Sequence, residues 1–459
     1  MSKGAALKVR LLIATASLAL FGAVFAAPAM AKGKHVLTVC KHGCRYASIQ
    51  KAVNNVKKGR NSVVKVKPGV YHEGVQVFGH KYDGLSIQGK AKNPRKTILD
   101  GDNARIKGQP AQNGVDGLNV DNLKVRRMWA RDYPANGIFV HADPGNHCHG
   151  FVMNKDLASF NRSYGLFAKH CTGGRITNSQ GWGHGDSAIY IGETPPQKNP
   201  DWTEIANDKA YLNVLGFSGT NAKYVDIHDS MFFNNGLGLG PNTLDSELFQ
   251  PNAHGRIHDN DIFWNNFNYF LPKSPVKTVS GGLGQIGNQT INYPTGVGVA
   301  LFGSDGWVVR DNRIFGNFFW GVATFSNALD TTGKALSEHN RVIDNRFGRF
   351  GTDKNRFDIY NDGSGKGNCF EGNQSSTFDL TADHANPKSF IYPGCPPPAT
   401  AGTGSVMGDG TLSSGQVGEL ANYVLSDPPC SQEDGWVEHS HPAFKGITPI
   451  DTKNLGQCK

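Results

Sequence analysis

The chain has 459 residues, 57 of them glycine, with 38% hydrophobic and 19% charged content and a formal charge of +9. This composition suits an all-β chain with many tight turns. The basic excess has no nucleic-acid module behind it, because no basic helix is interleaved with aromatic residues, so nucleic acid is excluded as a partner.

The first 31 residues read as a cleaved export signal: Lys3, Lys8 and Arg10, an apolar centre from Leu11 to Ala27, then the small-residue site Ala29-Met30-Ala31. No cysteine sits at the cleavage point, and no second run is apolar enough to span a bilayer. A secreted, extracellular, monomeric product is expected. Without the signal the charge falls to about +6, which fits an acidic polymer, although a few extra surface lysines are the commoner cause.

All eight cysteines follow the signal and predict local disulfides: Cys40–Cys44, Cys148–Cys171, Cys369–Cys395 and Cys430–Cys458. The 23-residue spacing of the second pair matches one turn of a solenoid, which stacks its two cysteines roughly 5 Å apart. No CxxC pair occurs, which argues against zinc, and no CxxCH, which rules out attached haem.

Tyr46 to Val56 reads as a short amphipathic capping helix, followed by a strand at Val63 to Val66, a turn at Lys67-Pro68-Gly69 and a strand from Tyr71 to Val77. Rungs of period-two strands are then expected at Leu85 to Asp100, Leu118 to His141, Cys148 to Lys169, Gly173 to Ile191 and Tyr224 to Leu239. Further rungs run from Gly255 to Leu271, with a last strand delayed to Gly296 to Phe302, from Gly306 to Phe325 and from Asn340 to Tyr360. A phrase recurs within them: Asp229-Ser230-Met231-Phe232-Phe233-Asn234, Asp259-Asn260-Asp261-Ile262-Phe263-Trp264-Asn265, Asp311-Asn312-Arg313-Ile314-Phe315-Gly316-Asn317, fading at Asp344-Asn345-Arg346-Phe347. Such self-similarity signals a solenoid, whose repeats bury their apolar faces only by stacking. Asn at the bends tolerates left-handed backbone angles, and its amide can bond to the Asn above and below.

Ile49-Gln50-Lys51-Ala52-Val53, Pro68-Gly69-Val70-Tyr71-His72-Glu73, Ile98-Leu99-Asp100-Gly101 and the phrase from Gly185 to Gly192 resemble secreted right-handed parallel β-helix proteins of the pectate-lyase-like superfamily. The resemblance covers roughly residues 45 to 375 and implies a right-handed parallel β-helix. The superfamily contains lyases, hydrolases, esterases, epimerases and non-catalytic surface proteins, so the resemblance implies no single activity. The expected organisation is signal 1–31, solenoid 32–395, linker 396–410 and a small C-terminal extension 411–459 with a helix from Gln416 to Leu425.

Segments 193–221, 241–253, 272–295 and 327–338 interrupt the period, each after the same strand of its rung, and so are expected to stack into one wall beside a groove. Next to that wall, alternation turns Phe139, Phe167 and Tyr190 outward as an aromatic ladder suited to sugar rings, with Trp202 in the neighbouring loop. The loop could equally cover the ladder. His141, Lys169, His184, Asp186, Tyr190 and Glu193 are the candidate catalytic residues. A β-elimination on a uronate needs a cation and a base, for which Lys169, His141 or Tyr190 could serve. A hydrolase needs two carboxylates, for which Asp186 and Glu193 are nearest. Asp143, His147 and His149 would join His141 in a metal site, but histidines at strand spacing beside a disulfide are more simply solvated. No metal or other cofactor is expected, with calcium left open.

Gly183-His184-Gly185 matches three residues of polygalacturonases without their upstream Asn-Thr-Asp and Asp-Asp elements, and the Trp-Ile-Asp-His and Asp-Pro-His-Asp phrases of pectate lyases and mannuronate epimerases are absent. The reading is a protein acting on an extracellular, acidic polysaccharide as a lyase or glycoside hydrolase. Its rival is a non-catalytic surface protein that binds glycan without cleaving it.

Overall fold

A computed structural model describes residues 35–58, 61–277, 279, 284–286, 289–327, 330, 332–349, 353–375, 392–402, 442–451 and 455. The expected signal, the helix at 416–425 and the Cys430–Cys458 pair lie outside these residues.

Three long parallel sheets of twelve, eleven and ten strands run the length of the described chain. Each turn visits them in the same order, as in Val225–His228, Met231–Phe233 and Leu237–Asn242. This is a right-handed parallel β-helix. The inward column of the ten-stranded sheet is Ile138, Leu166, Ile189, Phe217, Leu239, Val299, Val322 and Ile359, all buried and joined to one core.

The repeated phrase supplies the corners. Its two tasks fall on adjacent residues rather than on one. Asp229, Asp259, Asp311 and Asp344 take positive φ of 51–56° and turn the chain. The residue after each forms a ladder: Ser230 N donates to Asn260 Oδ1 (3.0 Å), Asn260 N to Asn312 Oδ1 (3.0 Å), and Asn312 N to Asn345 Oδ1 (3.1 Å). A second ladder at the next corner runs Asn213, Asn235, Asn265, Asn317, Asn355. Each amide satisfies a buried N–H of the rung before it, a contact of about 1 kcal/mol net whose absence would leave that donor unpaired. The glycine that follows each corner has its own reason: a Cβ on Gly238 or Gly298 would lie 2.4 or 2.5 Å from the carbonyl oxygen of the next rung.

Two expectations are corrected. Segment 193–221 is not an insertion: after a loop it carries a complete rung, Thr203–Ala206, Lys209–Tyr211 and Leu215–Thr220, with all three strands in register. Nor do the insertions share one phase. Residues 243–251 and 326–337 follow a strand of the ten-stranded sheet, whereas 264–296 precedes one, Val297–Phe302. Tyr269 to Leu271 is no strand. Walls therefore rise on both sides of that sheet.

The N-terminal edge is closed by helix Ile49–Asn54, which is shorter than the expected 46–56 and buries Ile49, Ala52 and Val53. Its Gln50 amide pairs with both the N–H (2.6 Å) and the C=O (3.1 Å) of Gln76, standing in for a missing strand. Disulfides Cys40–Cys44, Cys148–Cys171 and Cys369–Cys395 are formed as expected. Residues 442–451 pack back on the outer face of the eleven-stranded sheet, where Phe444 meets Phe263 and Phe315 edge-on at 5.1 Å each. Among the described residues, no helix is long and apolar enough to cross a membrane.

Candidate functional site

The site stands on the outer face of the ten-stranded sheet, in register across five rungs. One outward column is Gln76, Asp116, Phe139, Phe167 and Tyr190, and the next is Leu118, His141 and Lys169. Phe139 stacks on Phe167 at 4.2 Å, and Tyr190 meets Phe167 edge-on at 4.6 Å. Tyr164 leans on both Phe167 and Tyr190. Beyond Tyr190 the face is closed. Leu215, Leu237, Val297 and Trp320 there bury against Phe267, Tyr269 and Val276 of the 264–296 insertion. Phe167 and Tyr190 are themselves buried, while Phe139 remains half-exposed. The open floor thus lies between Gln76 and Lys169.

Two polar groups stand at its closed end. In the first, His141 is held by Asp116 (Nε2–Oδ1, 2.9 Å) and stacked on Phe139 (3.9 Å, 2° between planes). Both remain accessible, 21% and 19% exposed, and among the described residues nothing bonds to His141 Nδ1. In the second, Glu193 (3% exposed) receives the Lys169 ammonium on Oε1, and His170 Nε2 lies 2.8 Å from Oε2. His170 Nδ1 faces the Ala142 carbonyl oxygen at 2.8 Å, which can only accept, so Nδ1 carries a proton and another must lie between Nε2 and Glu193. Lys169 is 34% exposed and reaches the floor.

Glu247, from the 243–251 loop, completes this group by accepting from the Tyr190 hydroxyl (3.1 Å) and contacting Glu193. Burial, then the hydrogen bond and charge of Glu193, push Glu247 up to about 7. Burial would raise Glu193 too, but hydrogen bonds from Lys169, His170 and Glu247 outweigh it and hold its carboxyl below the ordinary value. Of the two, Glu247 is the one that holds a proton longer, giving it up as pH rises through about 7. Burial, and then the Glu247 charge, push the Tyr190 phenol well above its usual range. Burial also lifts Asp186 to about 7, and its Oδ1 has no hydrogen-bond partner among the described residues.

His141, Lys169, Tyr190 and Glu193 thus meet around Phe139 and Phe167, and Asp186 lies behind them, acting on Tyr164 and Tyr293. His184 does not join them. It occupies the corner ladder between Asn161 and Asn213, fully buried, and burial lowers its imidazole to about 4. Trp202 also stands apart, at the corner leading into the twelve-stranded sheet, under the Arg256 guanidinium at 4.1 Å. His147 and His149 assemble no metal-ligating group with Asp143: His149 Nδ1 instead faces Asp201 at 3.2 Å. Among the described residues, ligand atoms converge only at His80, Asp83 and Asp121, where Asp83 Oδ1 already accepts from Asp121 N. Sequence reasoning missed Asp116, Tyr164, Glu247 and Tyr293. Glu247 and Tyr293 come from insertions whose importance was visible but whose contacts were not.

No protein-family model and no curated protein matches the chain. Among solved structures, the A-module of the Azotobacter vinelandii mannuronan C-5 epimerase AlgE4 is 15% identical, with a TM-score of 0.45 over 73% of this chain and 92% of that one. The alginate lyase from Paenibacillus sp. str. FPU-7 is 11% identical, with a TM-score of 0.41 over 76% of this chain and 98% of that one. Pectate lyase Pel9A is 11% identical, with a TM-score of 0.38 over 80% and 82% respectively. These are likenesses of fold. The parallel β-helix itself is shown by the chain's own three parallel sheets.

Proposed function

We propose that this protein is secreted and cleaves an acidic, uronate-containing polysaccharide by β-elimination. The observation that carries the reading is the open pairing of His141 with Lys169 on adjacent strands, above an aromatic floor. With Nε2–H donating to Asp116 Oδ1, the Nδ1 lone pair of the part-exposed ring is left free, the arrangement a general base requires. Lys169, one strand spacing (about 4.8 Å) away, would pair with the uronate carboxylate and stabilise the negative charge that develops when the adjacent C–H is deprotonated. The ring would pack on Phe139. His141 takes the proton, a carbon–carbon double bond forms as the glycosidic C–O bond breaks, and the imidazolium returns the proton to the departing oxygen.

Hydrolysis by the expected pair Asp186 and Glu193 is less well supported, since both are buried, and Glu247 lies against Glu193, too close for the roughly 5–9.5 Å that flanking a scissile bond requires. The extracellular setting is supported by the basic–apolar–small pattern of residues 1–31 and by three disulfides.

The test is incubation with a panel of uronate polymers while following ultraviolet absorbance from the unsaturated product. His141→Ala should reduce turnover by about 10²–10⁴-fold, and Lys169→Ala by a comparable factor. Absorbance that survives both substitutions would refute the site. New reducing ends without absorbance would move the chemistry to the carboxylates, and retention on glycan without either signal would make the protein a binder.

A further inference from the structure

The open floor does not end at Phe139. A cavity of about 330 Å³ reaches Asp116 and shares Gly74, Gln76, Ile106 and Lys107 with a second cavity of about 620 Å³ under the N-terminal cap. Gln76 and Asp116 are register partners, as are Asp116 and Phe139, so both cavities continue the aromatic column toward the N-terminal edge. The second cavity is lined by five cations: Lys41, Lys51, Lys81, Arg105 and Lys107. None has a carboxylate partner among the described residues.

One carboxylate, Glu73, lies in that lining, and it is spent. Its Oε1 accepts from Ile49 N (2.8 Å), and its Oε2 from Ser48 Oγ (2.6 Å) and Gln50 N (3.0 Å). Two of the cations are supported by aromatic faces, with Lys41 Nζ 4.8 Å from the Tyr71 ring and Lys81 Nζ 4.5 Å from the Tyr82 ring. Five uncompensated cations around one concavity repel one another, and an anion entering it relieves that repulsion while gaining a focused positive field.

We infer that this cleft is a second binding site, which takes the anionic groups of the same polysaccharide chain whose reacting residue lies at His141. The inference rests on the proposed function. The two sites are linked by a track that crosses two strand spacings, about 10 Å, from Gln76 to Phe139. A short oligosaccharide can occupy the floor alone, whereas a long one engages both, and linking the contacts raises affinity without changing either.

The experiment compares affinities of the full chain for short and long uronate oligosaccharides by calorimetry, at low and moderate salt. Wild type should prefer the long chains, and that preference should weaken with salt. In Lys51→Glu/Lys107→Glu the long-to-short affinity ratio should fall at least tenfold, and Lys51→Gln/Lys107→Gln should shift it in the same direction by less. Thermal melts identify any variant that fails to fold, in which case the Gln pair decides. A ratio unchanged in the Gln and Glu pairs overturns the inference, as does equal competition by single-stranded DNA for the cleft, which would mark it as a general polyanion surface. If wild type binds neither length, the proposed function falls with it. If it binds both through Lys169 and the ratio stays fixed, only the cleft is wrong.

Discussion

Glu193 and Glu247 show how two identical side chains acquire different states from their surroundings. Glu193 faces Lys169 and His170, whereas Glu247 faces Glu193 and a phenol. Because Glu247 is raised to about 7, it is neutral below that pH and becomes anionic as pH rises through it. The stability tied to its raised value is complete below the ordinary carboxylate range and disappears as pH climbs through about 7. The same ionisation adds a negative charge beside Lys169, on the floor where an acidic ligand would lie. Affinity for a uronate oligosaccharide should therefore drop by about tenfold between pH 6 and 8.5, and Glu247→Gln should remove most of that drop. Titrations across this range decide it, and a variant that keeps the wild-type slope would exclude Glu247 as the source. This residue was not legible in the sequence. Glu247 sits 54 positions after Glu193, on a loop with no repeat to give its register. His141, Lys169 and Tyr190 were legible because a disulfide and a 23-residue period set their rungs against each other.

At the scale of elements, the rung Thr203–Thr220 was hidden for a definable reason. Its corners invert the repeated phrase. Asn207 takes the left-handed angle and Asp208 the ladder position, and Leu212 precedes Asn213. Ala206, Ala210 and Gly219 stand where the next rung carries His228, Phe232 and Pro241. Register with its neighbours supplies what local pattern lacks. The C-terminal segment 442–451 posed the opposite problem, an unremarkable sequence with a specific seat. Its Phe444 lies edge-on against the end of an aromatic stack of Trp182, Tyr211, Phe233, Phe263 and Phe315 spaced 5.0–5.6 Å apart. Lys445 Nζ pairs with Asp261 (2.7 Å), and Asn234 Nδ2 donates to the Thr448 carbonyl (3.0 Å). Phe444→Ala should cost about 2 kcal/mol, half the price of a fully buried Phe because this ring is only half-covered. A chemical denaturation series would show it. Affinity at the groove should not change, because the segment lies on a different sheet.

For the whole molecule, the decisive problem is where stacking stops. A parallel solenoid exposes unpaired strand edges at both ends, and these recruit other chains unless they are covered. The two ends are covered by different means. At the N-terminus, Gln50 imitates a strand and the helix around it buries apolar side chains, so the cover is continuous with the core and was readable from Ile49, Val53 and Val56. Toward the C-terminus the last strands among the described residues, Cys369–Glu371 and Gln374–Ser375, meet residues 392–402. Phe370 N donates to the Pro393 carbonyl (2.9 Å), Asn361 N reaches the Tyr392 hydroxyl (3.3 Å), and Cys369–Cys395 ties the cover to the edge. Among the described residues, Tyr392 packs edge-on against Phe370 at 5.4 Å, and the disulfide fixes the segment that carries it. Closing a loop across its 26-residue separation removes about 3 kcal/mol of unfolded-chain entropy. Cys369→Ser/Cys395→Ser should therefore lower stability by about that amount. It should also open the C-terminal edge before the rest of the solenoid unfolds, because rungs depend only on their neighbours. Light scattering at increasing concentration should then show self-association below the global unfolding temperature, seeded at this end, while hydrogen exchange stays slow at Ile189 and Phe217. Loss of protection spread evenly over all rungs would instead mean that the solenoid unfolds as one unit and that the cover has no separate role.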